Sequence, residues 1–432
     1  MARAHAADHF SAPGARARFV KQLLAVSWEM PPLSGPRAVQ VTRTLTALGA
    51  HGWRSRVICF DPTSNRYKQD YDIPVEGDSR GMVTRLPVRS PEEWLLFRAL
   101  WRVFPPIKHQ PDEKRVWLRP ALAEARRALA EQPADVMVSF AQPWTDHLVA
   151  LHLHRETGLP WVAHFSDPWV DSPYLTANAW ARRTAATLER AVIAAASRVV
   201  FVNQHTCARV MAKYPADWMA RARVIPQGFE ASAAMPAGRA DASLRVVYTG
   251  RFYPGVRTSD AFIEALSAID RVRPLIGRVS VDFVGGDMAD CARLASQLRL
   301  DHIIRFSGRV GPLEARKRAA EADVLLIIDA PSEGPSLFLP SKLIDYLPLR
   351  KPVLGLTPGE GPSADLLRAL GYLVVDPCDI AGIGSAIERL AAAHAAGQLG
   401  PSAQHDQVAH PYDIRETTRS FAAVLDEATA RS

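Results

Sequence analysis

Residues 333–352 combine a loop rich in proline and glycine with a short helix-like segment that carries charge. Ser341 and Lys342 begin the segment, and Asp345 follows one turn later. A helix that starts after such a loop presents free N–H groups and the positive end of its dipole to an anion, typically a phosphate. Asp345 could accept hydrogen bonds from a ribose. The alternative is a buried helix with a solvent-facing aspartate.

The first half of the chain offers two further candidates at predicted strand ends. Asp167 follows the buried apolar run 160–165, and polar groups at the carboxyl end of a parallel strand face the ligand crevice. Helix capping or loop fixing is the equally weighted alternative for this aspartate. Gly35 lies at the first strand-to-helix turn, where backbone can approach a phosphate or sugar closely, although one glycine is a weak signal.

The elements that position these residues alternate between strand and helix in two consecutive series. The predicted strands are the runs 23–28, 56–60, 82–86, 135–140, 160–165, 198–203, 244–251, 279–287, 303–308, 324–328, 353–356 and 372–375, with a further short run around Val75. Strands that alternate with helices predict doubly wound parallel sheets. The predicted fold class is therefore α/β, with two Rossmann-like domains facing each other across a cleft.

The same pattern predicts how the chain divides. We expect a disordered leader at 1–20, an N-terminal Rossmann-like domain at 21–230 and a linker of small residues at 231–243. A C-terminal Rossmann-like domain follows at 244–410. An amphipathic helix at 411–432 is expected to pack back toward the N-terminal domain.

Composition limits the class of protein. The 432 residues are 48% hydrophobic and 22% charged, as in soluble globular proteins, and contain no apolar run long enough to span a bilayer. The net charge of +7 favours acidic partners such as nucleotide phosphates or anionic lipid, and no nucleic-acid motif is present. The four cysteines lie far apart and are expected to be buried thiols, which indicates a cytoplasmic location.

Residues 91–108 interrupt the alternation. Their predicted helix carries tryptophan, phenylalanine and leucine on one side, with Arg98 and Arg102 on the other. Such a helix suits the interface of a membrane, and it suits packing on its own domain about equally well. The first interpretation predicts a peripheral contact with the inner face of the membrane through residues 91–108.

Five phrases of the sequence together resemble one family. In chain order they are PPLSGPRAVQ, HFSDPW, VIPQGF, YTGRF and PSKLIDYLPLRKPVLGL. Each phrase alone is weak, but their order is similar to that of glycosyltransferase family 4, the retaining nucleotide-sugar transferases with a GT-B fold. The resemblance extends over nearly the whole chain after the leader, and it implies an acceptor domain in the first half and a donor domain in the second.

This resemblance implies roles for individual residues. Arg251 and Arg257 would bind the donor diphosphate, where positive charge stabilises the departing nucleotide. Arg257 stands where relatives usually carry lysine. Asp345 matches the second glutamate of the family's acidic pair and would bind the ribose hydroxyls. Asp167 would line the acceptor side and completes, with the two arginines, the expected catalytic group.

The remaining donor contacts implied by the resemblance come from loops around the cleft. The full donor-binding set is Gly35, Gly250, Glu333, Gly334, Ser336, Ser341, Lys342 and Asp345, with the backbone of Gly308, Arg309 and Val310 contacting the base. The donor is a nucleotide-diphosphate sugar. No metal or other cofactor is implied, since arginine charge takes the place of a metal.

The sequence departs from the family at two positions. Leu337 stands where the first glutamate of the acidic pair is expected, and its side chain cannot bind a sugar hydroxyl. Glu333 lies four positions earlier, so the loop from Glu333 to Ser336 is expected to rely on its backbone amides. Ser166 occupies a position where relatives often carry histidine or arginine.

The predicted reaction is the transfer of a sugar, of the hexosyltransferase type, from the nucleotide donor to an acceptor hydroxyl with retention. A glycan or lipid-linked acceptor in the biosynthesis of a cell-surface polysaccharide or glycolipid would suit it. Two alternatives stay open, a sugar-nucleotide epimerase or hydrolase on the same fold and a degenerate donor-binding subunit. A nicotinamide dehydrogenase is disfavoured because no G-x-G-x-x-G follows the first strand.

Overall fold

A computed structural model describes most of the chain. The described residues are 20–33, 35–64, 82–88, 95–104, 111–172, 175, 178–231, 243–253, 255–286 and 288–430. The predicted leader and linker, apart from their end residues, lie outside this part of the chain. The predicted strand around Val75 and both ends of the segment 91–108 lie outside it as well.

The first half is built on a seven-stranded parallel sheet. Its strands are β1 (Lys21–Val26), β2 (Trp53–Phe60), β3 (Met82–Leu86), β4 (Val136–Ala141), β5 (Trp161–Phe165), β6 (Arg198–Phe201) and β7 (Ala222–Val224). Their order is β3-β2-β1-β4-β5-β6-β7, so the winding reverses between β1 and β4. Every residue of β4 and β5 is buried, because helices cover both faces of a central parallel strand.

The second half repeats this arrangement with six parallel strands. They are β8 (Leu244–Thr249), β9 (Val279–Val284), β10 (Ile304–Gly308), β11 (Val324–Ile328), β12 (Val353–Leu356) and β13 (Leu373–Val375). The order β10-β9-β8-β11-β12-β13 places the reversal between β8 and β11. Ligands of doubly wound sheets bind at such a reversal, outside the carboxyl ends of the strands.

Helices cover both faces of each sheet. They are α1 (Pro36–Leu48), α2 (Leu95–Val103), α3 (Leu118–Glu131), α4 (Thr145–Thr157), α5 (Ala179–Ala195), α6 (Gln204–Met211), α7 (Asp260–Val272), α8 (Ala289–Gln297), α9 (Pro312–Ala320), α10 (Ser341–Tyr346), α11 (Pro362–Ala369), α12 (Ile380–Ala395), α13 (His405–Ala409) and α14 (Ile414–Thr429). The predicted α/β fold class with two facing Rossmann-like units is confirmed. The short helices α6, α8, α11 and α13 were absent from the sequence prediction.

The last helix, α14, packs against the first sheet rather than the second. Phe421 is buried with its ring centroid 6.3 Å from that of Phe140 on β4. At the far end of the helix, the guanidinium of Arg198 on β6 donates to the carboxylate of Glu427 at 3.0 Å. The chain therefore returns to its first half after completing the second.

Two expectations drawn from composition can be compared with the structure. Among the described residues, no helix combines the length and apolar character that crossing a membrane requires. Cys59, Cys207 and Cys291 are buried, as expected. The expectation is wrong for Cys378, which is exposed because it lies in a surface turn between β13 and α12.

The buried ring of Phe421 tests whether α14 stabilises the first half. Phe421→Ala should lower the free energy of unfolding by about 3–5 kcal/mol, because the truncation leaves a cavity between helix and sheet. All ten tryptophans precede residue 231, so urea unfolding followed by tryptophan fluorescence reports on this half. The matched control, Ser420→Ala at the exposed neighbouring position, should change stability by less than about 0.5 kcal/mol. Equal effects of the two changes would contradict the packing role.

Candidate functional site

Two glycines meet at the carboxyl edge of the second sheet. Gly250 follows β8 and Gly285 follows β9, with φ values of +143° and +150° that other residues rarely adopt. A Cβ atom at position 285 would lie 1.6 Å from the carbonyl oxygen of Gly250. A Cβ atom at position 250 would lie 2.0 Å from the amine of Lys342. Glycine is therefore required at both positions for the strand ends and Lys342 to approach one another.

Lys342 lies beneath the Gly250 turn, beside the reversal between β8 and β11. Its Nζ is 4.5 Å from the centroid of the Tyr248 ring and donates to the Tyr248 hydroxyl at 3.1 Å. Burial, and after it the positive charge of Arg257, lower the pKa of this amine to about 7. The carboxylates of Asp329 and Asp345 oppose the shift.

Asp329 forms the floor of this site and was missed as a site residue by the sequence reasoning. It is buried at the end of β11, where its carboxylate accepts from the Thr357 hydroxyl at 2.8 Å. Burial raises its pKa, while hydrogen bonds from Ser363 and Thr357 and the charges of Arg257 and Lys342 lower it. The available signal was a carboxylate directly after an entirely apolar strand.

The two predicted diphosphate-binding arginines lie in the loop after β8. Arg251 is exposed, and its carbonyl accepts from the Arg257 guanidinium at 2.9 Å and from the Tyr248 hydroxyl at 3.2 Å. The Arg257 guanidinium lies 5.0 Å from the Tyr253 ring centroid. The structure thus brings Arg251, Arg257, Gly250 and Lys342 together around one turn, at the edge where a ligand of this fold binds.

Asp345 faces the first half of the chain rather than its own helical core. Its carboxylate accepts from the Arg43 guanidinium of α1 at 2.7 Å. Arg43 also approaches the carboxylate of Glu230, at 3.9 Å. The residue predicted to bind ribose is therefore paired across the cleft in this structure.

The loop before α10 also contacts the first half. Glu333 and Gly334 are exposed, whereas Ser336 is buried and its N–H donates to the Glu360 carbonyl at 2.9 Å. Leu337, which occupies the position of the missing glutamate, uses its backbone instead. Its carbonyl accepts from the Asn203 side chain at 3.1 Å and from the Thr206 hydroxyl at 2.8 Å. Ser341, the first residue of α10, is half-buried just beyond this loop.

The segment predicted to contact the base lies at the carboxyl end of the edge strand β10. The Gly308 carbonyl accepts from the Gly285 N–H at 2.8 Å, so it is engaged within the sheet edge. Arg309 is exposed and Val310 is half-buried. The segment is therefore held next to the paired glycines, on the side of the sheet away from Asp345.

In the first half, Gly35 makes room for a carboxylate. A Cβ atom at this position would lie 2.4 Å from Oε2 of Glu29, and the backbone of Gly35 has an ordinary extended conformation. Burial raises the pKa of Glu29, while the charges of Arg37 and Lys114 lower it. The glycine predicted to admit a ligand therefore admits Glu29 of its own loop in this structure.

Asp167 lies at the carboxyl end of β5 and is fixed by its neighbour. The Ser166 hydroxyl donates to the Asp167 carboxylate at 2.9 Å and lies 3.0 Å from the Ala141 carbonyl. Burial raises the pKa of Asp167, and the Ser166 hydrogen bond and the charge of Arg37 lower it. The Ser166 hydroxyl therefore holds the Asp167 carboxylate in position.

Arg37 and His164 form a buried pair that the sequence reasoning missed. An Nη of Arg37 lies 3.0 Å from Nδ1 of His164, and the guanidinium lies 5.4 Å from the centroid of the Phe140 ring. Burial holds the pKa of His164 well below its usual range, so the imidazole is neutral and its Nδ1 accepts. Arg37 stands in the first turn of an amphipathic helix, where an arginine is normally exposed, so no sequence signal distinguished it.

These side chains form two opposed groups. Cationic groups lie at the edge of the second sheet, and carboxylates with one buried arginine lie at the edge of the first. Such an arrangement can hold an anion on one side and a hydroxyl-bearing molecule on the other. Within the described part of the chain, no group of three or more histidine, cysteine or acidic residues could hold a metal ion.

Comparison with known proteins agrees with this architecture. Residues 35–228 match the family described as glycosyl transferase 4-like domain. No curated protein sequence matches the chain significantly. Among solved structures, sucrose-phosphate synthase from Thermosynechococcus elongatus is similar with a TM-score of 0.69 and 17% identity, covering 95% of this chain and 100% of that one.

Two further solved structures are similar over nearly their whole length. The Anabaena HepE protein in complex with UDP has a TM-score of 0.63 and 16% identity, covering 94% of this chain and 99% of that one. WaaG, described as a glycosyltransferase involved in lipopolysaccharide biosynthesis, has a TM-score of 0.59 and 15% identity, covering 93% and 99%. The predicted resemblance is confirmed: the chain has the GT-B fold of these solved structures, and its residues 35–228 match a glycosyl transferase 4-like domain.

Proposed function

We propose that this glycosyltransferase moves a sugar from a nucleotide-diphosphate sugar to an acceptor hydroxyl with retention at the anomeric carbon. The observation that carries the proposal is the convergence of Arg251, Arg257 and Lys342 around the Gly250 turn, at the reversal of the second sheet. A diphosphate is the ligand class that such a cluster of donors binds best. The similarity to a protein solved with UDP supports the same class.

The proposed reaction needs no protein nucleophile. The arginines stabilise the charge that develops on the diphosphate as the bond to the anomeric carbon breaks. An oxygen of the departing diphosphate takes the proton of the acceptor hydroxyl, which attacks from the same face. Asp167 faces the acceptor from the first half and orients its hydroxyl by accepting a hydrogen bond.

The remaining predicted donor contacts stay part of this proposal. Asp345 binds the ribose after its bond with Arg43 is given up. The loop from Glu333 to Ser336 contacts the donor, and Gly308, Arg309 and Val310 lie beside the base. The donor provides the leaving group itself, so no further cofactor takes part.

The acceptor we propose is a glycan or lipid-linked glycan of the cell surface, reached from the cytoplasmic face of a membrane. Helix α2 exposes Leu96 by 85% and Val103 by 83%, so no side chain in the described part of the chain covers them. Phe104 and Trp180 lie beside it with ring centroids 5.9 Å apart, and Trp180 is half-exposed. An amphipathic helix with this much exposed apolar surface suits a peripheral membrane contact. The similarity to WaaG supports an acceptor of this class.

The side chain of Leu337 favours one alternative, a degenerate subunit that binds the donor without transfer. Incubating the protein with a panel of nucleotide sugars, with and without acceptors, distinguishes the proposed transferase from the two alternatives. Acceptor-dependent transfer supports the proposed function, whereas epimerisation or hydrolysis without acceptor supports the other enzyme class. Binding without turnover across a wide acceptor panel would support the degenerate subunit.

Arg251 tests the leaving-group role. Arg251→Ala should lower kcat/KM by about 100- to 1,000-fold, the usual cost of removing one donor that stabilises transition-state charge. The exposed Arg273, at the end of α7, provides a matched control, and Arg273→Ala should leave kcat/KM unchanged. Circular dichroism should report the same fold for both variants. Near-normal transfer by Arg251→Ala would reject its role.

Asp345 tests ribose recognition separately from diphosphate recognition. Asp345→Asn should weaken binding of the preferred nucleoside diphosphate by about 10- to 100-fold, because a hydrogen bond to a charged group is lost. Inorganic pyrophosphate, which has no ribose, should bind equally to both forms. Asp290→Asn at an exposed site on α8 is the control. Parallel losses for both ligands, measured by calorimetry, would contradict a ribose contact.

Helix α2 tests the membrane contact. Replacing Leu96 and Val103 by serine should reduce binding to vesicles of anionic phospholipid by at least about tenfold, because burying each side chain is worth about 1.5 kcal/mol or more. Ile276→Ser, at a residue of the second half that is 64% exposed, is the matched control. Vesicle sedimentation measures the membrane binding of the double variant and of the control. Unchanged sedimentation of the Leu96 and Val103 variant would remove the membrane from the proposal.

A further inference from the structure

The amine of Lys342 has hydrogen-bonding capacity that the resting structure uses only in part. An ammonium carries three N–H donors. The Tyr248 hydroxyl accepts from Nζ at 3.1 Å and itself lies 3.2 Å from the Arg251 carbonyl, to which it donates. The amine also lies directly under Gly250, where a Cβ atom would be 2.0 Å from it. The remaining donors are therefore next to a backbone turn that has no side chain to screen them.

Charged and titratable groups surround this amine from every packed element. Tyr248 comes from β8, Arg257 from the loop after it, Asp329 from the end of β11 and Asp345 from α10 itself. Asp329 is engaged by Thr357 at 2.8 Å and Asp345 by Arg43 at 2.7 Å. Arg257 brings a second positive charge to the same turn. Both carboxylates near the amine are thus shared with other donors, while the nearby arginine opposes a charged lysine.

We propose that Lys342 is a ligand of the donor diphosphate that gains its charge on binding, so that the donor enters together with one proton. The inference rests on the proposed function, because it requires a diphosphate at the Gly250 turn. Without a ligand, the Lys342 amine packs against the face of the Tyr248 ring, and the positive charge of Arg257 disfavours its protonation. The negative diphosphate reverses this balance by placing anionic oxygens beside both cations.

The expected pH dependence follows in sign from this exchange. Burial and Arg257 lower the pKa of the unliganded amine to about 7, so above that pH most molecules hold it neutral. Bound diphosphate raises the pKa, since opposite charge favours the ammonium. Binding therefore takes up a proton above pH 7, and affinity falls as the pH rises toward the pKa of the complex. Well below pH 7 the amine is already charged, and affinity no longer depends on it.

Nucleotide sugars make the measurement unambiguous, because both of their phosphates are esterified and neither ionises between pH 6 and 9. The probes are UDP-glucose, GDP-mannose, ADP-glucose and dTDP-glucose, from which the tightest binder is taken. Titration calorimetry at pH 8 in buffers of different ionisation enthalpy counts the protons exchanged. We expect uptake of about one proton per donor bound by the wild-type chain.

Three variants assign the proton to Lys342. Lys342→Met should abolish the uptake and weaken binding at pH 7 by about 10- to 100-fold. Lys342→Arg, which is charged at every pH tested, should retain binding without uptake. Lys317→Met, at an exposed lysine of α9, should behave as the wild type. Thermal unfolding of each variant shows that it is folded.

The outcomes separate this inference from the proposed function. Failure of all four nucleotide sugars to bind the wild-type chain would overturn both. Binding without proton uptake, or equal uptake by Lys342→Met, would overturn the inference and leave the donor class intact. Uptake that disappears in both Lys342 variants and persists in Lys317→Met supports it.

Discussion

The structure depends on holding two cationic side chains next to each other at the carboxyl edge of the second sheet. Lys342 and Arg257 repel each other, and burial adds to the cost of charging the lysine. The fold compensates with the face and hydroxyl of Tyr248 and with the buried carboxylate of Asp329. Gly250 leaves the side facing the cleft open. An anion that enters there relieves a repulsion that the protein alone balances only in part.

Much of the framework could be predicted from sequence, because the strands are continuous apolar runs. The run Val324–Ile328 is buried at every residue, and a strand of this kind is covered on both faces in a parallel sheet. The predicted site residues follow such runs, so the sheet edge could be located. The Arg37 pair with His164 could not be predicted, because it joins residues 127 positions apart in sequence. The same is true of Arg43 and Asp345, which are 302 positions apart.

The ion pair between Arg43 and Asp345 joins the two halves of the molecule in this structure. The bond closes the cleft beside the position assigned to the ribose, and Glu230 at 3.9 Å shares the same guanidinium. Because Asp345 remains about half-exposed, solvent screening limits the strength of the pair. A modest bond of this kind orients the carboxylate toward the cleft without competing strongly against a ligand that satisfies it.

The adjacent residues Ser336 and Leu337 are bonded to opposite halves of the molecule. The N–H of Ser336 donates to Glu360 in the second half, and the carbonyl of Leu337 accepts from Asn203 and Thr206 in the first. Separating the two lobes at this point would break the hydrogen bonds to Asn203 and Thr206. Rotating one lobe about this point would leave them intact. The dipeptide is therefore a junction at which the main chain of one loop ties both lobes together.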